Sequence, residues 1–329
     1  MEHILVVDHD FLEPELIRRI ERRGTSFGFT VRCFDRRKEG AREEAYKSIP
    51  DAEILFSVSP KSLEAAGKNL KWFACPWAGV EPFIRHPEYF PSDDVMLTNS
   101  NVYGKTIAEH VIMVLLIMMR RMPEYLEAVN ERNWLRNLPI EGIIDNPFLV
   151  IGTGDLGTNI AARLKGMGAS HVCGVNRTGV FHGKTNPFDE TRPVEELRSI
   201  LPTVKGVVLA LPDLDDTTHL INKETLALMR EDAYLVNVGR GNAVDQKALI
   251  EALNAGKLRG AALDVFEKEP LPADDPLWET KNLFITPHIS GNTGLAATRE
   301  RIVELFLANL ERYVNGVPPV GLVDRKKGY

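Results

Sequence analysis

Residues 148–157 read Phe148-Leu149-Val150-Ile151-Gly152-Thr153-Gly154-Asp155-Leu156-Gly157, and an amphipathic segment, Thr158–Gly166, follows them. This order predicts a buried strand, a glycine loop and a helix within one βα unit. Gly152 would let the chain turn tightly, Gly154 would let a ligand approach the backbone, and Gly157 would let helix and strand pack closely. A bare glycine pattern also fits an ordinary tight turn, but its place between strand and helix favours a phosphate site at the helix N-terminus.

Short runs of strand-forming residues alternate with helical or loop stretches on both sides of that motif. Before it they are Ile4–Val7, Thr30–Phe34, Ile54–Val58, Trp72–Ala74 and Val95–Thr98. From it onward they are Phe148–Ile151, His171–Val175, Gly206–Leu211, Ala233–Val238, Gly260–Val265 and Leu283–Ile285. Long helices are predicted at Ile107–Arg121 and Ala296–Val314. The alternation predicts two parallel sheets covered by helices, and 329 residues suit two domains better than one.

Composition and charge argue against several classes of protein. Acidic residues outnumber basic ones by 46 to 40, so no general positive field is present to attract nucleic acid. Three scattered cysteines and eight histidines without ligand spacing predict neither a disulfide framework nor a metal site. The N-terminal residues do not resemble an export signal, and the most apolar run, Val111–Met119, is shorter than the ~20 residues of a membrane span. We therefore expect a cytoplasmic protein.

The loop after the second strand of the later series bears on which dinucleotide would bind. Asn176-Arg177-Thr178 stand where an NAD-specific fold usually has an acidic residue for the ribose 2′-hydroxyl. A guanidinium beside amide and hydroxyl groups suits a 2′-phosphate instead, because it offers paired donors to phosphate oxygens. NADP(H) is therefore favoured and NAD(H) remains possible, while Arg177 as a plain solvated arginine is the alternative.

Polar residues suited to 2-keto acid chemistry follow three of the later predicted strands. Reduction of such an acid needs a cation for the carboxylate, a proton donor for the oxygen, and a carboxylate that keeps this donor protonated. Arg240, His288 and Glu269 offer these groups, and Asp264 lies nearby in the same pattern. Each residue alone could be a surface charge, a loop acid or a turn cap. The carboxyl ends of parallel strands meet at one edge, so we expect all four residues to converge there.

The motif order of the chain resembles that of the D-isomer-specific 2-hydroxyacid dehydrogenase family over nearly the whole length. The resemblance is carried by the glycine loop, by Asn237–Ala248 with Arg240, by Leu263–Pro270 with Glu269, and by Thr286–His288. It implies two doubly wound α/β domains, with a Rossmann cofactor domain inserted into a flavodoxin-like substrate domain. The substrate domain would comprise residues 1–103 and 292–329, and the cofactor domain residues 104–291.

The same resemblance implies further site residues and a homodimer that uses the helix Ile107–Arg121. Backbone N–H groups of Ala78 and Gly79 would meet the substrate carboxylate, and Asp264 would face the nicotinamide carboxamide. The cofactor-binding residues would be Gly152, Thr153, Gly154, Asp155, Leu156, Gly157, Asn176, Arg177, Thr178, Leu211, Pro212, Val238 and Asp264. Leu214 and Glu81 depart from the usual threonine and aspartate of the family, so the resemblance indicates reaction type more firmly than substrate.

The function expected from these features is an NADPH-dependent reductase of glyoxylate, hydroxypyruvate or a related 2-keto acid. A phosphoglycerate dehydrogenase-type enzyme is one alternative. Another is a non-catalytic NAD(H)-sensing binding protein, similar to the corepressors of the family. Formate oxidation is disfavoured, because the resemblance implies a glutamine in formate enzymes at the position that Glu269 occupies in this chain.

Overall fold

The structure is a computed structural model that describes residues 2–325 of the chain. These residues form two compact units. Unit 1 contains the residues up to Tyr103 and those from Asn292 onward, and unit 2 contains Gly104–Gly291. No helix within residues 2–325 is both long enough and apolar enough to cross a membrane.

The N-terminal part of unit 1 is a parallel sheet with short helices. Its strands are β1 (Ile4–His9), β2 (Thr30–Asp35), β3 (Ile54–Ser57), β4 (Trp72–Ala74) and β5 (Met96–Thr98). Its helices are α1 (Pro14–Ser26), α2 (Ala41–Ser48), α3 (Pro60–Glu64) and α4 (Glu81–Ile84), with 3₁₀ turns at Ile49–Asp51 and Pro87–Tyr89. The strand order is β2-β1-β3-β4-β5, with every pair parallel. Strand β1 lies inside the sheet and is buried along its whole length, which explains its unbroken apolar start.

Unit 2 is a larger parallel sheet. Its helices are α5 (Gly104–Met119), α6 (Met122–Asn130), α7 (Asp155–Gly166), α8 (Leu197–Ile200), α9 (Lys223–Leu228) and α10 (Gln246–Asn254). Its strands are β6 (Pro147–Ile151), β7 (His171–Asn176), β8 (Glu190–Pro193), β9 (Gly206–Leu209), β10 (Tyr234–Asn237), β11 (Gly260–Leu263) and β12 (Leu283–Ile285). Its 3₁₀ turns are Val194–Glu196, Leu201–Thr203, Asp215–Thr217, Gly241–Ala243 and Pro276–Glu279.

The sheet of unit 2 is ordered β12-β11-β10-β9-β6-β7-β8. This is the doubly wound Rossmann order with one added strand at the edge, and the order reverses between β6 and β9. Side chains of β6 alternate, so that Phe148 and Val150 enter the layer beneath α5 and α7, while Leu149 and Ile151 enter the opposite layer. The predicted fold class, two α/β units with parallel sheets, is confirmed.

The last helix, α11 (Ala296–Val314), returns the chain to unit 1. Its Phe306 ring lies 4.8 Å from the ring of Phe56 and 5.5 Å from that of Trp72, centroid to centroid. These aromatic rings are almost completely buried, and burying a large apolar side chain contributes about 1.5–3 kcal/mol. The amphipathic pattern predicted this helix correctly, and the aromatic contacts are what place it on the first sheet.

Candidate active site

The glycine loop follows β6 and turns where two strands approach closely. Gly152 has a φ of +102°, and a Cβ built on it would lie 2.4 Å from the carbonyl oxygen of Ala210. A Cβ on Gly157 would lie 1.8 Å from the carbonyl oxygen of Gly152. A Cβ on Gly154, in contrast, would meet no atom within 4 Å. Gly152 and Gly157 are therefore required by packing, while Gly154 borders open space that a ligand can enter.

Helix α7 begins at Asp155, within this glycine motif, and no side chain caps its N-terminus. Its first-turn N–H groups and the positive end of its dipole are the groups that bind a pyrophosphate in such loops. The carboxylate of Asp155 accepts hydrogen bonds from the N–H of Gly104 at 3.2 Å and from Asn159 at 3.1 Å. Burial raises the pKa of Asp155. Asp155 thus offers a ligand its backbone N–H, while its side chain joins α7 to the start of α5.

The loop after β7 is organised by the side chain of Asn176. Its amide nitrogen donates to the hydroxyl of Thr153 at 2.7 Å and to the carbonyl of Val180 at 2.8 Å. Its amide oxygen accepts from the N–H groups of Thr178 at 3.0 Å and Gly179 at 2.7 Å. Asn176 therefore holds this loop to the glycine loop, a role that its place in the sequence did not reveal.

Arg177 lies at the tip of the same loop. Its side chain is 62% exposed, and one guanidinium nitrogen lies 3.7 Å from Asp216, which is itself 82% exposed. An exposed pair of this kind contributes about 0–1 kcal/mol, so a phosphate dianion could displace Asp216 at little cost. The guanidinium therefore lies near the end of β7 with a weakly held partner.

The segment after β10 carries Arg240. Asn237 is fully buried, accepts from the N–H of Gly239 at 3.1 Å and donates to the carbonyl of Arg240 at 2.8 Å. These bonds set the backbone from which the Arg240 side chain leaves. Leu211 and Pro212 follow the neighbouring strand β9, and a Cβ on Gly239 would lie 2.6 Å from the backbone of Leu211. Val238 is buried between these segments.

His288 and Glu269 form a direct pair, with 2.7 Å between Nδ1 of His288 and Oε2 of Glu269. The other carboxylate oxygen of Glu269 accepts from the N–H of Phe266 at 2.9 Å. The hydrogen bond to Glu269 raises the pKa of His288, against the opposing effect of burial. Burial favours the neutral form of Glu269, but the hydrogen bonds from His288 and Phe266 outweigh it, and the pKa of Glu269 is lowered. The pair therefore favours a protonated ring beside an ionised carboxylate more than either group would alone.

Arg240 belongs to the same cluster, because its positive charge is close enough to His288 to oppose protonation of the ring. The guanidinium also donates to the carbonyl oxygen of Gly239 at 2.9 Å. Thus the structure brings Arg240, Glu269 and His288 together at the carboxyl ends of the strands in unit 2. A cationic carboxylate binder beside a proton donor is the arrangement that 2-keto acid reduction requires.

Asp264 organises the backbone around His288. Its side chain is 2% exposed and accepts three hydrogen bonds, from the hydroxyl of Thr286 at 2.6 Å and the N–H groups of Ile289 at 2.9 Å and Ser290 at 3.0 Å. The N–H of His288 donates to the carbonyl of Asp264 at 2.8 Å. His288 has a φ of +53°, which costs a residue with a Cβ about 1–3 kcal/mol. Asp264 therefore stabilises the strained backbone conformation of His288. Its carboxylate has about four lone-pair positions, so about one remains to accept a hydrogen bond from a ligand amide.

Ala78 and Gly79 lie in unit 1, in the loop between β4 and α4, where Ala78 is exposed and Gly79 half-buried. The carbonyl of Ala78 accepts from the side-chain amide of Asn99 at 2.8 Å, which leaves its N–H outside that contact. Within residues 2–325, no three His, Cys, Asp or Glu side chains are grouped in a way that could hold a metal ion.

A glycine-rich loop at the strand reversal, with a histidine–glutamate pair and a guanidinium in the same unit, is typical of a nicotinamide-dependent oxidoreductase of the doubly wound class. Residues 112–290 match the family model described as D-isomer specific 2-hydroxyacid dehydrogenase, NAD binding domain. The chain belongs to this family. The predicted resemblance and the predicted reaction class, an NAD(P)-dependent 2-hydroxyacid dehydrogenase, are confirmed.

Individual relatives extend the match to both units. The glyoxylate/hydroxypyruvate reductase A of Escherichia fergusonii is 32% identical over 270 residues, which is 80% of this chain and 83% of that protein. A D-isomer specific 2-hydroxyacid dehydrogenase family protein from Aeromonas salmonicida is 32% identical with a TM-score of 0.85, covering 98% of this chain and 99% of that one. A D-isomer specific 2-hydroxyacid dehydrogenase from Xanthobacter autotrophicus, solved with NADPH and MES, is 28% identical with a TM-score of 0.78, covering 100% of both chains.

Proposed function

We propose that the protein is an NADPH-dependent reductase of a small 2-keto acid of the glyoxylate or hydroxypyruvate type. The observation that carries this proposal is the 2.7 Å His288–Glu269 pair with Arg240 beside it, in a chain of the 2-hydroxyacid dehydrogenase family. The substrate class is supported by the Escherichia fergusonii reductase, and the cofactor by the NADPH in the Xanthobacter structure and by Arg177.

The residues around the strand reversal fit a nicotinamide dinucleotide. The open space at Gly154 and the uncapped N-terminus of α7 would take the pyrophosphate, and Arg177 with Thr178 would take the 2′-phosphate. The nicotinamide end would be held by Asp264 and lined by Leu211, Pro212 and Val238. When bound, this group supplies the hydride for the substrate carbon.

The remaining steps belong to side chains and backbone groups of the chain. Arg240 would bind the substrate carboxylate and polarise the adjacent carbonyl, assisted by the N–H groups of Ala78 and Gly79. His288, whose Nδ1 is bonded to Glu269, would donate its Nε2 proton to the oxygen that becomes the hydroxyl. Glu269 would hold the His288 ring in place and favour its protonated form until the Nε2 proton is donated. In the oxidation direction the neutral ring would accept the proton.

Turnover of a substrate panel tests the proposal. Purified protein is mixed with NADPH and, separately, glyoxylate, hydroxypyruvate, 3-phosphohydroxypyruvate and pyruvate, and the absorbance of the reduced cofactor is followed. We expect oxidation with glyoxylate or hydroxypyruvate. A preference for 3-phosphohydroxypyruvate would favour a phosphoglycerate dehydrogenase-type enzyme. Tight cofactor binding without oxidation across the panel would contradict the proposal and favour a binding protein of the corepressor type.

Arg177→Ala is expected to raise the KM for NADPH by about 10- to 100-fold, because hydrogen bonds to charged groups contribute about 1.5–3 kcal/mol each. The KM for NADH should change little, since the 2′-hydroxyl carries no charge. Arg198→Ala is the matched control, because Arg198 is 60% exposed and pairs with Glu224 away from the loop. Equal weakening of NADPH and NADH in Arg177→Ala would contradict the phosphate role.

We also propose that two copies of the chain associate through unit 2. Seven large apolar side chains between residues 113 and 144 are more than a third exposed: Met113, Met122, Leu126, Val129, Trp134, Ile140 and Ile144. Trp134 is 86% exposed and Val129 68%, and so many exposed large apolar side chains in one segment are typical of an interaction site. Sedimentation should give a dimer for the native chain and monomer for Leu126→Ser/Trp134→Ser. Trp278→Ser, at a 50% exposed tryptophan outside the segment, should remain dimeric.

We also propose that the protein works in the cytoplasm. Cys33, Cys75 and Cys173 are all free thiols, as expected for a protein that works in a reducing compartment. The proposed reduction also uses NADPH, which cells keep largely reduced in the cytoplasm.

A further inference from the structure

A chain of polar groups in unit 2 joins helix α5 to Asp264. Nε2 of His110, on α5, lies 3.3 Å from Oγ1 of Thr286. That hydroxyl donates to Oδ1 of Asp264 at 2.6 Å. Thr286 is 9% exposed and Asp264 2%, so the chain is largely removed from water. Polar groups that are buried in this way stay ordered only while each has a partner.

The donor and acceptor of the His110–Thr286 and Thr286–Asp264 hydrogen bonds follow from the single proton that the Thr286 hydroxyl carries. Asp264 accepts three hydrogen bonds, so the single hydroxyl proton of Thr286 goes to its carboxylate. Oγ1 of Thr286 is then left as an acceptor, and Nε2 of His110 must donate to it. Burial lowers the pKa of His110, which favours a neutral ring, and a neutral ring that donates to Thr286 carries its proton on Nε2.

We infer that His110 is a positioning residue for His288, acting through Thr286 and Asp264 without touching a reacting atom. The inference rests on the proposed function, since it assigns a support to the proton donor of that site. This role for His110 goes beyond what the family resemblance implies, since the resemblance gives α5 only a role in subunit contact.

The route from His110 to His288 passes through the backbone of residues 286–290. Asp264 holds this segment at Thr286, Ile289 and Ser290, and its carbonyl holds the N–H of His288 itself. The left-handed backbone of His288 depends on these bonds, because a residue with a Cβ leaves that region when its supports weaken. Loss of the His110 donor leaves Oγ1 of Thr286 without the bond that fixes it from the side of α5, so its bond to Asp264, and through Asp264 the backbone of His288, is held less firmly.

Four single variants and one double variant test this route. His110→Leu removes the donor at similar size, and His110→Gln restores an N–H near the Nε2 position. Thr286→Val removes the hydroxyl at constant shape. Glu109→Gln is the matched control, since Glu109 is the preceding residue on α5, with a 70% exposed side chain. Steady-state kcat and KM for the 2-keto acid and the melting temperature are measured for each.

We expect His110→Leu to lower kcat by about 10-fold with little change in KM, because a small misalignment of a reacting group slows the chemical step. His110→Gln should recover most of that loss, and Glu109→Gln should stay within roughly twofold of the native kcat. The double variant His110→Leu/Thr286→Val should be no slower than Thr286→Val alone, because both changes break one route. A native kcat in His110→Leu, multiplied effects in the double variant, or no recovery in His110→Gln would each overturn the inference.

A second readout needs no turnover and so separates this inference from the proposed function. The NMR signals of the His288 ring are assigned by their loss in His288→Gln and then compared in the native chain and the His110 variants. They should shift in His110→Leu and return toward native positions in His110→Gln. Unchanged His288 signals in His110→Leu would overturn the inference even if the native enzyme is active. A shift in an inactive native chain would leave the route standing while the proposed function fails.

Discussion

His288→Ala is expected to lower kcat for 2-keto acid reduction by about 10²–10⁴-fold, the usual contribution of a positioned general acid. The physical reason is that the substrate oxygen would take its proton from water instead of from the imidazolium held by Glu269. The KM for NADPH should stay near its native value, because the groups proposed to bind the dinucleotide phosphates, the glycine loop and Arg177, do not include His288. Stopped-flow oxidation of NADPH measures the hydride step directly.

Two controls make this result specific. His219→Ala removes another histidine bonded to a glutamate, at 3.1 Å from Glu267, and should leave kcat close to native. The melting temperature of each variant shows whether folding is retained. A kcat within a few fold of native in folded His288→Ala would exclude His288 as the proton donor, whatever the substrate.

The pH profile provides an independent view of the same pair. Reduction needs protonated His288, so kcat/KM should fall as the pH rises through the pKa of this ring, which Glu269 raises above its ordinary value. Glu269→Gln removes the main cause of that shift and should move the fall to lower pH. The variant should therefore recover part of its activity in acidic buffer. An unmoved profile would show that another group controls the pH dependence.

Arg240→Lys is expected to lower kcat/KM for the 2-keto acid by about 10²–10³-fold, the range found when one preorganised donor to a developing charge is lost. A lysine keeps the charge but loses the planar pair of donors that fits a carboxylate, so the loss measures geometry more than charge. The Kd for NADPH, measured by fluorescence, should change little. Arg230→Lys is the matched control, because Arg230 precedes β10 whereas Arg240 follows it, and its partner is Asp232. Equal losses in the two variants would argue against a substrate contact at Arg240.

The sequence alone was sufficient for the two parallel sheets and for the dinucleotide loop, because both depend on local patterns. Apolar runs separated by helical stretches indicate buried parallel strands, and a glycine triplet between strand and helix has few other uses. Strand β8 was not predicted, and helices α2, α4, α6, α8, α9 and α10 were given no bounds. Strand β8 has only four mostly polar residues at the edge of its sheet, so no apolar run signals it.

The residues proposed for catalysis could also be named from the sequence, but the groups that support them could not. Asn176, Thr286 and His110 act through hydrogen bonds that cross between separate elements, to residues that are close only after folding. The left-handed backbone of His288 has no local signal, since a histidine there is held by Asp264, which lies 24 positions earlier. Periodicity and motif spacing report which face of an element is buried. Only the tertiary structure decides which polar groups meet across elements, because their pairing depends on contacts between strands and helices that are distant in the chain.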